Sequence, residues 1–259
     1  MLKDADCIVF KVGTSTLIHD AGRINIKALE EISLILSDLA NSGRRIVLVS
    51  SGAIGAGVGK LGLKCRPTDT ADKQAVSTIG QCELMFMYDK MFGQYGRNVG
   101  QLLITKADFD HPERKENLLR AIGKLFEYGA VPIVNENDAV AVDEIVYGDN
   151  DSLSAAVAKL ISADALVMLT ETDGLYDKDP KTDPTAKRIP VVSEITDELR
   201  VTADATISGF GTGGMATKLP AAETATRAGI DVYIISGKNP RNIYTLMEGA
   251  DIGTHFLRR

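Results

Sequence analysis

Two lysines of this chain lie in settings that suit contact with phosphate groups. Lys11 stands near the end of an apolar run, in FKVGTST, where a glycine and three hydroxyl residues follow within five positions. Lys218 closes the segment GFGTGGMATK (209–218), which holds four glycines in six residues. Such segments can offer a phosphate positive charge and backbone N–H donors together. Each lysine also has a structural alternative, because strand-end lysines extend to solvent and ordinary loops contain glycine.

Three polar clusters could bind an anionic or zwitterionic small molecule. The quartets NEND (135–138) and GDND (148–151) together hold seven amide or carboxylate side chains. They could accept hydrogen bonds from an α-amino group and leave one carboxylate to orient lysines or a metal, although such residues also serve turns and helix caps. The third cluster, SGA (51–53), follows an apolar run, so its amides could hold a carboxylate or phosphate, or its glycine could allow close packing.

The elements that must position these residues follow from hydrophobic periodicity. Short apolar runs predict strands at 7–13, 44–50, 98–104, 131–135, 165–170, 232–237 and 254–258. Amphipathic stretches predict helices at about 25–40, 70–94 and 112–128, and another that opens at 151–152. This alternation predicts an α/β fold, a three-layer sandwich with a central, mostly parallel sheet whose ligands lie beyond the carboxyl ends of the strands. The segment 171–190, dense in Pro, Asp and Lys, is a lobe boundary or a surface hairpin.

Composition excludes several classes of protein. A chain of 259 residues, 44% hydrophobic and 25% charged, suits one large α/β domain or two fused lobes. Its net charge of −6 argues against nucleic-acid binding. No apolar stretch is long enough for a membrane span and the N-terminus lacks the basic head of a signal peptide, so we expect a cytosolic protein. Three unpatterned cysteines and three scattered histidines suggest neither a disulfide framework nor a zinc site.

Two glycine motifs point to other nucleotide sites only weakly. GVGKLG (57–62) matches the dinucleotide pattern G-x-G-x-x-G, but SSGAIGA separates it from the preceding strand, whereas that fingerprint opens directly out of a strand. Gly59 and Lys60 resemble half of a P-loop, but Ile54 takes the place of its first glycine and Leu61 that of its Ser or Thr. A Walker A motif is therefore not predicted.

Six segments occur together in an order that resembles the amino acid kinase family, and within it the glutamate kinases. They are KVGTS, VSSGAIGAG, VPIVNENDAV, GDNDSLSA, LTETDGLYDKDP and GTGGMATKLPAA, and the resemblance covers essentially the whole chain. It implies one central, largely parallel sheet, with an amino-acid-binding lobe at about 1–163 and an ATP-binding lobe at about 164–259. The chain ends at Arg259, so the C-terminal PUA domain of many family members is not expected.

The resemblance also implies residue roles. The implied catalytic residues are Lys11, Lys218 and Asp151. The implied glutamate-binding residues are Ser51, Gly52, Ala53, Asn135, Asp138, Asp149 and Asn150. The implied ATP-binding residues are Lys11, Thr170, Glu171, Thr212, Gly213, Gly214, Met215, Ala216, Thr217 and Lys218. Glu171 departs from the pattern, because family members often have aspartate there.

The activity implied is ATP-dependent phosphorylation of the γ-carboxylate of L-glutamate, the first step of proline biosynthesis. ATP and Mg²⁺ are the expected cofactors, with Mg²⁺ held mainly through the ATP phosphates and no protein metal site. Proline is a possible feedback inhibitor, a homo-oligomer (dimer or tetramer) is expected, and no nucleic-acid or membrane partner is. The alternatives are another amino acid kinase, a catalytically silent amino-acid sensor on the same fold, and a nicotinamide dehydrogenase.

Overall fold

A single mixed sheet forms the centre of the protein. The computed structural model describes residues 2–141, 150–180, 182–205 and 214–259. The strands in these ranges are β1 (Cys7–Val12), β2 (Arg45–Ser50), β3 (Val99–Ile104), β4 (Val131–Glu136), β5 (Ala165–Thr170), β6 (Val191–Val192), β7 (Asp231–Ser236) and β8 (Thr254–Phe256). Their order is β3-β4-β2-β1-β5-β7-β8-β6, and every neighbouring pair is parallel except β7 with β8. The predicted α/β class and mostly parallel sheet are confirmed.

Helices cover both faces of this sheet. In the described residues they are α1 (Thr14–Leu17), α2 (Ile26–Asn41), α3 (Ala53–Leu61), α4 (Thr70–Gly93), α5 (Lys106–Asp110), α6 (Pro112–Glu127), α7 (Asn150–Leu160), α8 (Asp197–Ala205), α9 (Met215–Thr226) and α10 (Asn242–Met247). The predicted helices correspond to α2, α4, α6 and α7, and each of the four begins within about one residue of its predicted start. Among the described helices, none has both the length and the apolarity that crossing a bilayer demands.

Strand β1 has both faces buried, which decides where Lys11 points. All six of its residues are buried, as expected for a parallel strand covered on both sides. Phe10 belongs to the core cluster formed with α2 and α4, whereas Cys7 and Val9 belong to the cluster formed with α7 and α9. Because side chains alternate along a strand, Lys11 lies on the same face as Cys7 and Val9. Its ammonium group is therefore directed toward α7 and α9.

The strand order creates a crevice beside β1. From β1 the chain continues to β2 on one side, whereas from β5, the neighbour of β1 on the other side, it continues to β6 and then to β7, away from β1. Parallel sheets bind ligands where the connections of two adjacent strands leave in opposite directions, outside their carboxyl ends. The expected ligand position therefore lies beyond Val12 and Thr170.

The segment after β5 forms a surface hairpin, one of the two alternatives predicted for it. Tyr176 and Arg188 make an antiparallel bridge, and the backbone N–H of Asp177 donates to the carbonyl of Lys187 at 3.0 Å. The N–H of Ile189 donates to the carbonyl of Leu175 at 2.8 Å. The chain then passes to β6, which pairs with β8 at the edge of the sheet.

Glycines at 57 and 59 serve packing. Both lie inside α3, where a Cβ on Gly57 would come within 2.1 Å of the Val76 carbonyl oxygen of α4. A Cβ on Gly59 would come within 2.1 Å of the carbonyl oxygen of Gly22. The motif GVGKLG is therefore a helix face in backbone contact with its neighbours, and it lacks the loop geometry of a dinucleotide fingerprint.

The same close approach predicts that Gly80→Ala is strongly destabilising. A Cβ at Gly80 of α4 would lie 1.8 Å from the carbonyl oxygen of Ala53, so α3 and α4 would have to separate. We expect a loss of about 3 kcal/mol or more in unfolding free energy, measured by urea denaturation. Gly93→Ala is the matched control, because nothing lies within 4 Å of its added Cβ and alanine favours the helix by up to about 1 kcal/mol. Equal stability of the two variants would contradict the packing argument.

Candidate active site

A buried carboxylate joins the two lysines singled out by the sequence. The Nζ of Lys11 lies 2.6 Å from Oδ1 of Asp151, and the Nζ of Lys218 lies 3.1 Å from Oδ2. Lys11 is 4% exposed, Lys218 is 3% exposed and Asp151 is 0% exposed. Charges this deeply buried are tolerated when they are paired and hydrogen-bonded. We call Lys11, Asp151 and Lys218 the charged triad.

Three elements bring the charged triad together. Asp151 is in the first turn of α7, where the helix dipole favours a negative charge. Lys218 is in the first turn of α9, which packs beside α7 over the face of β1 that carries Lys11. Thr217 Oγ1 donates a hydrogen bond of 3.0 Å to Oδ2 of Asp151. The carboxylate therefore holds both ammonium groups at fixed positions beneath the crevice.

A network of amides fixes the start of α7 against the strand ends. The Nδ2 of Asn150 lies 2.8 Å from the Ser50 carbonyl oxygen, 3.0 Å from Ser51 Oγ and 2.8 Å from Asn135 Oδ1. The Nδ2 of Asn135 donates to Gln81 Oε1 at 2.8 Å. The side-chain amide of Asn135 is therefore engaged by protein atoms on both sides. The network joins β2, β4 and α4 to the residue that precedes Asp151.

The turn from β2 into α3 requires glycine. Gly52 caps α3 with φ of +100°, in the left-handed region that favours glycine. A Cβ there would also lie 3.1 Å from Cγ1 of Ile18. Together with Ser51 and Ala53, Gly52 lines the crevice, so the amino end of α3 faces the space where an anion would lie.

An open cleft of about 1000 Å³ runs across the carboxyl ends of the strands. Twelve of the predicted site residues line it: Lys11, Ser51, Gly52, Ala53, Asn135, Asp138, Asn150, Thr170, Glu171, Gly214, Met215 and Lys218. Asp151, Ala216 and Thr217 do not line it, and Asp151 lies beneath the two lysines. Asp149, Thr212 and Gly213 fall outside the described residues. The predicted glutamate and ATP positions thus share one cleft, and their individual roles stay predictions.

Asp138 is a half-buried carboxyl group at the β4 side of the cleft. Burial raises the pKa of this group above its ordinary value, and the positive charge of Arg66 acts in the opposite direction. A cationic group of a ligand placed beside Asp138 would likewise favour the ionised form. The side chain is therefore suited to accept hydrogen bonds from an ammonium group.

Sequence reasoning missed several residues of the cleft. The connection between α3 and α4 contributes Lys64 and Arg66, and the first turns of α4 contribute Lys73. The hairpin after β5 contributes Tyr176 and Asp179. A signal for the first group existed, because the basic segment LKCRP follows directly on the helix that begins at SGA. Hydrophobic periodicity alone does not show toward which side of the sheet such a connection turns.

The comparisons with known proteins agree with this architecture. The amino acid kinase family model matches residues 6–236. Glutamate 5-kinase of Listeria monocytogenes is 48% identical over 100% of this chain and 95% of its own length. Glutamate 5-kinase of Clostridium perfringens is 47% identical over 100% of this chain and 97% of its own length.

Two solved structures share the fold at low sequence identity. UMP kinase from Bacillus anthracis has a TM-score of 0.62 at 16% identity, covering 98% of this chain and 96% of its own. Isopentenyl phosphate kinase from T. acidophilum has a TM-score of 0.65 at 17% identity, covering 96% of this chain and 99% of its own. These structures show the fold, and the family model and the two relatives confirm the family resemblance drawn from the six sequence segments. With a family model that spans most of its length and relatives that match it end to end, this chain belongs to the amino acid kinase family.

Proposed function

We propose that this protein transfers the γ-phosphoryl group of ATP to the γ-carboxylate of L-glutamate. The observation that carries phosphoryl transfer is the charged triad, which places the ammonium groups of two lysines in the lining of a cleft that both sets of predicted binding residues share. The choice of glutamate is supported by relatives named glutamate 5-kinase, 47–48% identical over the whole chain. The product, L-glutamyl 5-phosphate, would enter proline biosynthesis.

The reaction needs no general base. A glutamate side chain has a reference pKa of about 4.3, so the attacking carboxylate is already ionised at pH 7. One of its oxygens forms a bond to the γ-phosphorus, the bond from that phosphorus to the β,γ-bridging oxygen breaks, and ADP leaves with the electron pair. The main difficulty is bringing two anions together, which calls for positioning and charge stabilisation.

The charged triad supplies this stabilisation. Two ammonium groups share one carboxylate, so the three side chains carry an excess positive charge toward the cleft. The amino end of α9, which begins at Met215, adds backbone N–H groups and the positive end of a helix dipole. Lys11 reaches the transferred group from β1 and Lys218 reaches it from α9. Asp151 acts as a positioning residue that holds both lysines.

Mg²⁺ would enter with ATP. Within the described residues no group of three histidine, cysteine or acidic side chains forms a cage for a metal ion. Mg²⁺ commonly keeps several waters and is bound through one or two carboxylates together with nucleotide phosphates, so we expect it to arrive as its complex with ATP. The ion would neutralise part of the phosphate charge.

A direct assay tests the proposal. The protein is incubated with ATP, Mg²⁺ and single amino acids, ADP release is followed, and hydroxylamine traps the acyl phosphate. We expect ADP release and hydroxamate formation with L-glutamate alone. ADP release with a different acceptor would indicate another amino acid kinase activity, and tight binding without turnover would indicate a sensor. Solution mass, measured in parallel, tests the predicted dimer or tetramer.

Asp138→Asn is expected to raise the KM for glutamate by about 10- to 100-fold with a small effect on kcat. The substitution keeps the shape of the side chain but removes the charge that pairs with an α-ammonium group, an interaction worth about 1.5–3 kcal/mol. Steady-state kinetics at saturating ATP checks this. Glutarate, which lacks the amino group, should be affected much less by the substitution, and an equal loss with both acceptors would contradict the assignment.

Proline offers a second probe of the same position. It carries an α-amino and an α-carboxylate group but no γ-carboxylate, so it could occupy the amino-acid end of the cleft without accepting a phosphoryl group. If it inhibits, we expect competition with glutamate and a weaker effect on the Asp138→Asn variant. Inhibition curves at several glutamate concentrations distinguish this from binding at a separate position.

A further inference from the structure

Backbone N–H groups at the amino end of α3 can bind the α-carboxylate of an amino acid substrate, and a cation in this cleft would strengthen that binding. The proposed glutamate residues supply acceptors and amides, and they include no cation. Lys11 and Lys218 are paired with Asp151 and are directed to the transferred phosphoryl group. An amino acid carries its α-carboxylate on the same carbon as its α-ammonium group. A cation that contacts this carboxylate would therefore lie beside the residue that receives the ammonium group.

Arg66 occupies such a position. It lies on the connection between α3 and α4 and lines the same cleft as Asp138, Ser51 and Asn150. The positive charge of Arg66 lowers the pKa of the Asp138 carboxyl group, against the larger raising effect of burial. The side chain is exposed, and within the part of the chain that the structure describes no hydrogen bond or ion pair holds its guanidinium group. The N–H donors of Arg66 are therefore available to a ligand that lies against Asp138.

Other cations of this region are less suited to the task. Lys64 and Lys73 also line the cleft, but each of them presents an ammonium group. A guanidinium group presents two parallel N–H donors that match the two oxygens of a carboxylate, whereas an ammonium group is a point charge. The chemistry of a carboxylate therefore favours Arg66 among the three cations, and the lowering effect of Arg66 on the pKa of Asp138 supports this choice.

We propose that Arg66 binds the α-carboxylate of the amino acid substrate while Asp138 binds its α-ammonium group. The pair recognises the zwitterionic end of the substrate and leaves the γ-carboxylate directed at the charged triad. This inference rests on the proposed function, because it assigns a specificity-determining residue to the same reaction.

Substrate analogues allow the assignment to be tested group by group. Kinetics are measured for the unsubstituted protein, Arg66→Gln and Lys64→Gln with L-glutamate and with 4-aminobutanoate, which keeps the amino group and the reacting carboxylate but lacks the α-carboxylate. We expect Arg66→Gln to lower kcat/KM for glutamate by about 10- to 100-fold, mostly through KM. The value for 4-aminobutanoate should stay within about twofold, because the group that Arg66 contacts is absent. If its turnover is too slow, its inhibition constant against glutamate gives the same comparison.

The outcomes separate this inference from the proposed function. Absence of glutamate-dependent ADP release by the unsubstituted protein would overturn the proposed function itself. An active unsubstituted protein whose Arg66→Gln variant loses equally with both acceptors would overturn the role of Arg66 alone. If Lys64→Gln lowers kcat/KM by the same factor and with the same selectivity, the effect comes from the general positive charge of the α3–α4 connection. That result would also overturn the role of Arg66. Circular dichroism and the KM for ATP, both expected to be unchanged in Arg66→Gln, show that the fold and the nucleotide end are intact.

Discussion

Replacement of Lys218 by alanine is expected to lower kcat by about 1000-fold while changing the KM for glutamate by only a few-fold. Lys218 is 3% exposed and its ammonium group lies 3.1 Å from Asp151, so its position is fixed before substrate arrives. Charge develops on the transferred group only as the reaction proceeds, and an interaction that strengthens in the transition state contributes to kcat more than to binding. The measurement is steady-state kinetics with coupled detection of ADP.

Lys159→Ala is a suitable control for this variant. Lys159 is an exposed lysine in the last turn of α7. Its replacement by alanine therefore removes the same charge from a position outside the lining of the cleft. Its kcat should match that of the unsubstituted protein. Thermal unfolding of both variants shows whether the fold has been retained, and an unchanged kcat in a folded Lys218→Ala protein would remove Lys218 from catalysis.

Asp151→Asn is expected to abolish activity and to destabilise the fold by about 3–5 kcal/mol. The side chain is 0% exposed and pairs with Lys11 and Lys218 at 2.6 and 3.1 Å. Asparagine keeps its shape but leaves two buried ammonium groups beside each other without their carboxylate. Urea unfolding at pH 7 measures the loss of stability.

A triple variant shows whether charge causes this instability. When Lys11 and Lys218 are changed to methionine together with Asp151→Asn, the buried charges disappear as a set, and much of the lost stability should return while activity stays absent. A triple variant as unstable as Asp151→Asn would show that shape or hydrogen bonding, and not unbalanced charge, explains the loss.

The sequence predicted the sheet better than the cleft. Strands such as β1 and β5 are continuous apolar runs because both of their faces are buried, and this pattern is visible without any tertiary information. Short helices such as α5 and α10, of five and six residues, have too few turns to show a period and were missed. The α3–α4 connection was missed for a related reason, since its position depends on how two helices pack through Gly57 and Gly80.

The charged triad illustrates the same limit within the site. Glycine-rich surroundings pointed to Lys11 and Lys218 from the residues alone. Nothing in the sequence spacing, however, shows that the two ammonium groups lie within 3.1 Å of the Asp151 carboxylate. The residues suggested that one carboxylate of the two quartets orients lysines, but only the family resemblance pointed to Asp151. Its physical origin is the sheet order, which seats β1 under the first turns of α7 and α9. Local sequence carries little information about such long-range packing.

The place of β1 in the sheet limits how the cleft can open. This strand is hydrogen-bonded to β2 over six consecutive positions and to β5 over five, so it joins the two halves that hold the proposed binding groups. A hinge between the halves would have to break one of these ladders next to Lys11. The two ladders therefore favour a floor of fixed shape, and any adjustment of the cleft to its ligands is expected in the connections at its rim.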